Sequence, residues 1–168
     1  WQAYEDNMFK TVYPQNSTLQ GAKAGIQDPK NVWLSITPPN DNKGGLGAFI
    51  IAPDDVTKNM LLRDAIESDI PRLAGPSAVV VAPPKDIPVG NGRCMSAVVI
   101  TPAERCKPNS TNCYTPLVLT QCDAPGGMRY NAHTWLSEGS TKNSLSSKAQ
   151  QEGAVYERML RALEFKKS

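Results

Sequence analysis

RCMSAVVITPAERCKPNSTNCYTPLVLTQC, residues 93–122, gathers all four cysteines of a 168-residue chain into two apolar runs and the loop between them. The spacing is C-x11-C-x6-C-x8-C. Structural zinc sites draw ligands in pairs about two to four residues apart, and thioredoxin-like redox sites use C-x-x-C. Neither spacing is present, and His133 is the one imidazole available to complete a zinc set. The segment reads instead as a stapled hairpin. With 94–101 antiparallel to 114–122 and Cys94 opposite Cys122, Val99 meets Leu117 and Ala97 meets Leu119 on one face. Ser96, Val98, Val118 and Thr120 share the other face with both cysteines. Cys106 and Cys113 then fall in the loop and close it as a second, inner bridge. This nested pairing is one of three formal connectivities. The outer bridge closes a loop of about 28 residues and contributes on the order of 3 kcal/mol in the chain-entropy picture. Disulfides place the chain in an oxidising compartment, periplasmic or extracellular, or in the endoplasmic reticulum and beyond.

Upstream of the hairpin, VWLSITPPND (32–41), AFIIAPDD (48–55) and AVVVAPPKD (78–86) share a form with SAVVITPAE (96–104). Each is an apolar, largely β-branched run that meets proline and then an acid. Proline removes a ladder donor, so each reads as a buried strand ending there, and the acids read as turn composition rather than as a shared cation site. The irregular spacing argues against a solenoid. Between the second and third runs, PDDVTKNMLLRDAIESDIP predicts a helix of about four turns capped by Asp54 or Asp55 and stopped by Pro71. Strand, helix and strand suggest a right-handed βαβ unit.

Trp1, Tyr4, Met8 and Val12 have helical spacing, so residues 1–30 are expected to form a short helix and a loop, or a flexible arm. Asp123, Pro125, Gly126 and Gly127 predict a turn, and MRYNAHTWL (128–136) an edge strand. From Ser144 or a turn later, Leu145, Ala149, Tyr156, Leu160 and Leu163 form one stripe of a long helix, with Glu157 and Arg161 as an i,i+4 pair. Ser147 and Gln150 have capping-box spacing, and Gly153 inside the helix suggests close packing or a slight bend. The expected architecture is a single α+β domain over residues 1–168. It has a mixed, mostly antiparallel sheet of about five or six strands, one crossover helix and a long C-terminal helix packed on one face.

Composition excludes more than it selects. The chain carries 18 Lys and Arg against 16 Asp and Glu, interspersed, which argues against nucleic-acid binding. The 14 prolines punctuate strands and stiffen loops. No apolar run approaches the roughly 18 residues of a membrane span. The sequence begins at Trp1 rather than at methionine, which leaves room upstream for a signal peptide or an anchor, and hence for membrane proximity. Two N-x-S/T sequons, at Asn16 and Asn109, are no more than composition alone would supply.

Nucleophile-elbow, zincin and P-loop signatures are missing, and GGLGAF (44–49) and GNGRC (90–94) read as turns into strands. No cofactor or metal is implied. The expected function is an exported, disulfide-stapled domain that binds another protein. It would serve as a component of an envelope or secretion assembly, or as an inhibitor of a secreted toxin. Contact surfaces are expected on loops 38–46, 83–93 and 102–113, with Pro84, Asn91, Lys107, Asn109 and Asn112 as candidate binding residues. The competing expectation is a small secreted hydrolase using His133 as base with Asp123 and Ser137 nearby.

Overall fold

A computed structural model describes residues 1–21, 34–39, 49–103, 107, 109 and 111–166. In chain order the elements are β1 (Gln2–Glu5), β2 (Phe9–Tyr13), β3 (Thr18–Gly21), β4 (Leu34–Thr37), β5 (Phe49–Pro53), α1 (Leu62–Ala74), β6 (Val79–Ile87), β7 (Arg93–Pro102), β8 (Tyr114–Asp123), β9 (Arg129–Trp135), α2 (Ser147–Arg161) and β10 (Glu164–Phe165). Seven strands form one sheet in the order β3-β4-β5-β9-β8-β7-β6, and β1, β2 and β10 form a smaller sheet.

The hairpin of β7 and β8 sits beside the sheet's centre and runs in the expected register, Cys94 opposite Cys122, Ala97 opposite Leu119 and Val99 opposite Leu117. Met95, Ala97, Val99, Leu117 and Leu119 face α1 and pack on Leu62 and Ile66. Cys94, Val118 and Cys122 face the other way, onto α2 and the small sheet. Both faces are covered, so these strands are apolar throughout rather than alternating. The α+β class and the C-terminal helix match expectation.

Several local expectations do not hold. Every neighbouring pair of strands is antiparallel, so the large sheet is not mixed. β5 and β6 do run the same way, but α1 carries the chain across β9, β8 and β7, so the two never pair as in a βαβ unit. β9 lies between β5 and β8 rather than at an edge. β6 is an edge strand and continues through Pro83 and Pro84, with register shifts between Val80 and Ala82 and between Ala82 and Lys85. An edge tolerates proline because its missing donor costs no ladder bond on the open side. Helix α1 begins at Leu62, eight residues beyond Asp54, and runs through the exposed Pro71 to Ala74.

The N-terminal segment is a hairpin, not a helix. Asp6 Oδ1 accepts the amides of Met8 and Phe9 at 2.7 and 3.0 Å, closing a turn that competes with helix. Tyr4, Phe9 and Thr11 become the buried positions, while Trp1 lies exposed with its ring 4.0 Å from the Arg158 guanidinium. Thr11 Oγ1 donates to the Met159 carbonyl at 2.7 Å, and Phe9 and Phe165 pack on Tyr130, fixing the small sheet against α2 and the large sheet. Helix α2 is capped by Ser146, whose Oγ accepts from the Ala149 amide at 3.1 Å.

Cys94 and Cys122 are bridged. Cys113 is also disulfide-bonded, and its expected partner, Cys106, lies outside the described residues, as does most of loop 38–46.

Candidate functional site

Where β5 ends, Asp54 organises the chain before α1. Its Oδ1 accepts from the amides of Val56 (3.0 Å) and Thr57 (3.1 Å), and its Oδ2 from Thr57 Oγ1 (2.9 Å) and Gln121 Nε2 (2.9 Å). Arg129, buried at the start of β9, braces the same turn from the other side. Its Nε donates to Asp123 at 2.6 Å, its Nη1 to the Thr57 carbonyl at 3.0 Å and its Nη2 to the Met60 carbonyl at 2.9 Å. A planar guanidinium holding three acceptors at once leaves the turn little freedom. The turn nevertheless presents Val56, Met60 and Leu61 to solvent, 78%, 42% and 74% exposed.

Under the turn lies a buried polar cluster between α1 and the sheet. Asp69 of α1 takes Arg72 Nε and Nη2 on Oδ1 (3.2 and 2.5 Å), and Gln121 Nε2 and Asn131 Nδ2 on Oδ2 (2.8 and 2.5 Å). Each of the two aspartates therefore receives four hydrogen bonds, which fills the acceptor capacity of a carboxylate. Burial pushes the Asp54 carboxyl up, but the bonds from Gln121, Thr57 and Val56 outweigh it and hold the group below its ordinary value. Asn131 uses Nδ2 on Asp69, so its Oδ1 is an acceptor and the 3.1 Å contact assigns the proton to His133 Nδ1. Burial lowers the His133 pKa; Asp69 opposes that shift and Arg72 adds to it. A cavity of about 380 Å³ opens beside the cluster, lined by Asp54, Val56, Arg72, Leu73, Asn131 and His133 among others.

The hydrolase residues are not brought together. Asp123 is taken by Arg129, and Ser137 donates from Oγ and from its amide to Glu152 of α2, at 2.5 and 2.6 Å. His133 is engaged with Asn131 on the α1 face. Asp54 and Asp69 beside it are each fully engaged in hydrogen bonds within the cluster.

Of the expected binding residues, Asn91 is spent internally: its Nδ2 donates to the Phe165 carbonyl at 2.8 Å and its Oδ1 accepts the Phe165 amide at 2.7 Å. Pro84 lies within the edge strand β6, and Lys107, Asn109 and Asn112 are exposed. The 54–61 turn was not anticipated as a surface, nor Gln121, Asp69 and Asn131 as a cluster. One signal was available: Gln121 has the same strand parity as Leu117 and Leu119, which marks a polar side chain aimed into a core.

No protein-family model matches the chain, and no curated relative does. Among solved structures it is similar to the Saccharomyces cerevisiae Ran-binding protein Mog1p, with 12% identity over 95% of this chain and 90% of that one and a TM-score of 0.61. A protein from Bacteroides thetaiotaomicron gives a TM-score of 0.44 at 15% identity, over 95% of this chain and 46% of its own. The first likeness establishes a shared α+β fold with Mog1p.

Proposed function

We propose that the chain is an exported, disulfide-stapled protein-binding domain, working within an envelope or secretion assembly or as an inhibitor of a secreted toxin. The observation that carries this reading is the braced turn with three exposed apolar side chains, Val56, Met60 and Leu61. Exposed apolar residues on a mobile loop lose binding energy to ordering, and a turn fixed by Asp54 and Arg129 avoids that cost. The fold likeness to a protein named for Ran binding supports the class of function at the level of analogy. Two features support export: the buried Cys94–Cys122 bridge and the bonded state of Cys113.

Affinity capture from the native compartment tests the binding role. The wild-type chain is expected to recover a stoichiometric protein partner, and Val56→Ser/Leu61→Ser to lose it while melting normally. Equal recovery by both, or recovery of no protein by either, overturns the reading. Alkylation of the unfolded, unreduced protein is expected to label none of the four cysteines, and labelling of all four would remove the basis for export.

A further inference from the structure

On the opposite face of the sheet from the turn, a half-open groove of about 320 Å³ runs between α2 and the β6 edge. Ile87, Val98, Val118, Leu136, Leu145 and Leu160 make it predominantly apolar. Gly153 lines it from the middle of α2, although glycine is the weakest helix former after proline. Close packing does not require it: a Cβ built there meets nothing nearer than Leu136 Cδ1, at 3.8 Å, which is ordinary contact. The absent side chain instead leaves the groove open.

Two charged residues stand on the lining. Glu157 is neutralised by Arg161, with bonds of 2.6 and 2.9 Å to one carboxylate oxygen. Lys85, opposite Ser96 in the β6–β7 ladder and exposed, has no ion-pair partner among the described residues. An apolar trough with one uncompensated cation on it complements an aliphatic chain ending in an anion.

We propose that this groove binds a medium-length monoacyl amphiphile with an anionic head, its chain along Gly153 and its carboxylate at Lys85. The volume lies at the low end of the roughly 300–1,000 Å³ typical of ligand pockets, which suits one such chain rather than a large lipid. The site lies on the other side of the sheet from Val56, Met60 and Leu61, so it stands or falls independently of the docking turn.

The test is calorimetric titration of the full chain with dodecanoate below its micelle concentration, with dodecanol as the neutral control. Saturable one-to-one binding of dodecanoate is expected. Gly153→Leu should lower its affinity by about tenfold or more, and Gly153→Ala, which has room to fold, by about threefold. Lys85→Ala should weaken dodecanoate about fivefold and leave dodecanol unchanged, since only the anion meets the ammonium. Three results would overturn the assignment: no saturable dodecanoate binding by the wild type, unchanged affinity in the folded Gly153→Ala protein, or equal losses for dodecanoate and dodecanol in Lys85→Ala.

Discussion

Gln121 Nε2, near the C-terminal end of β8, lies 2.8 Å from Asp69 Oδ2 on α1 and ties the crossover helix to the sheet across 52 residues of sequence. The same nitrogen reaches Asp54 at 2.9 Å, so one amide serves both buried carboxylates. Replacing Asp69 by Ala would remove the acceptor of the Gln121 and Asn131 amides, while Arg72, its side chain half exposed, turns to solvent. A loss of about 2–4 kcal/mol is expected for leaving two such donors short of a partner. Gln121→Met keeps most of the volume and leaves each acid one donor short, at a cost of about 1–3 kcal/mol. Urea unfolding of the two variants would check both the size and the order of these losses.

Acid should weaken the fold in two windows. The folded state favours neutral His133, so just below pH 6.5 the unfolded chain binds more protons. The associated stability is complete above pH 6.5 and is lost as pH falls toward the lowered folded pKa. Asp54, held below its ordinary 3.8, contributes stability present above that value and lost as pH falls through its folded pKa. His133→Gln is therefore expected to flatten the change in unfolding free energy between about pH 7.5 and 5 while leaving the steeper acid limb intact.

The Cys94–Cys122 bridge is fully buried, so mild reductant should reach it only through unfolding. Reduction monitored by thiol labelling is expected to follow the global unfolding rate. Cys94→Ala/Cys122→Ala should lose on the order of 3 kcal/mol.

Arg129→Met should free the Thr57 and Met60 carbonyls and leave Asp123 without its partner. Amide exchange at Val56 through Leu61 is expected to accelerate more than exchange in β7 and β8, which would locate the effect in the turn.

Gly153→Ala should stabilise the protein by about 0.5–1 kcal/mol, because the helix gains a better former and the new methyl meets no clash. A thermal melt checks this; a loss of stability would mean that the helix needs the glycine for its own geometry.

The central hairpin was legible because its information is local in register: pleat parity aligned Cys94 with Cys122 and gave each neighbouring pair its face. The C-terminal helix was legible for the same reason, through a 3.6-residue stripe, although its cap is Ser146 rather than Ser147 of the expected capping box. Residues 1–13 misled because Trp1, Tyr4, Met8 and Val12 coincide with a helical period, whereas β2 is held by β10 and by the Met159 carbonyl, both about 150 residues away. The polar cluster escaped because Asp54, Asp69, Gln121 and Asn131 come from four separate segments, and each alone resembles a surface residue.

By itself the sequence determined the strand pair that carries the buried cysteines, the α+β class and the helix that covers one face, since each follows from periodicity and short-range parity. Only the tertiary structure decided that β9 is central, that α1 passes over three strands, and that His133 hydrogen-bonds Asn131 beside the buried Asp54–Asp69 cluster. Those outcomes depend on which distant groups are desolvated together, and a buried carboxylate is tolerated only where its donors, wherever they lie in the chain, arrive at the same place.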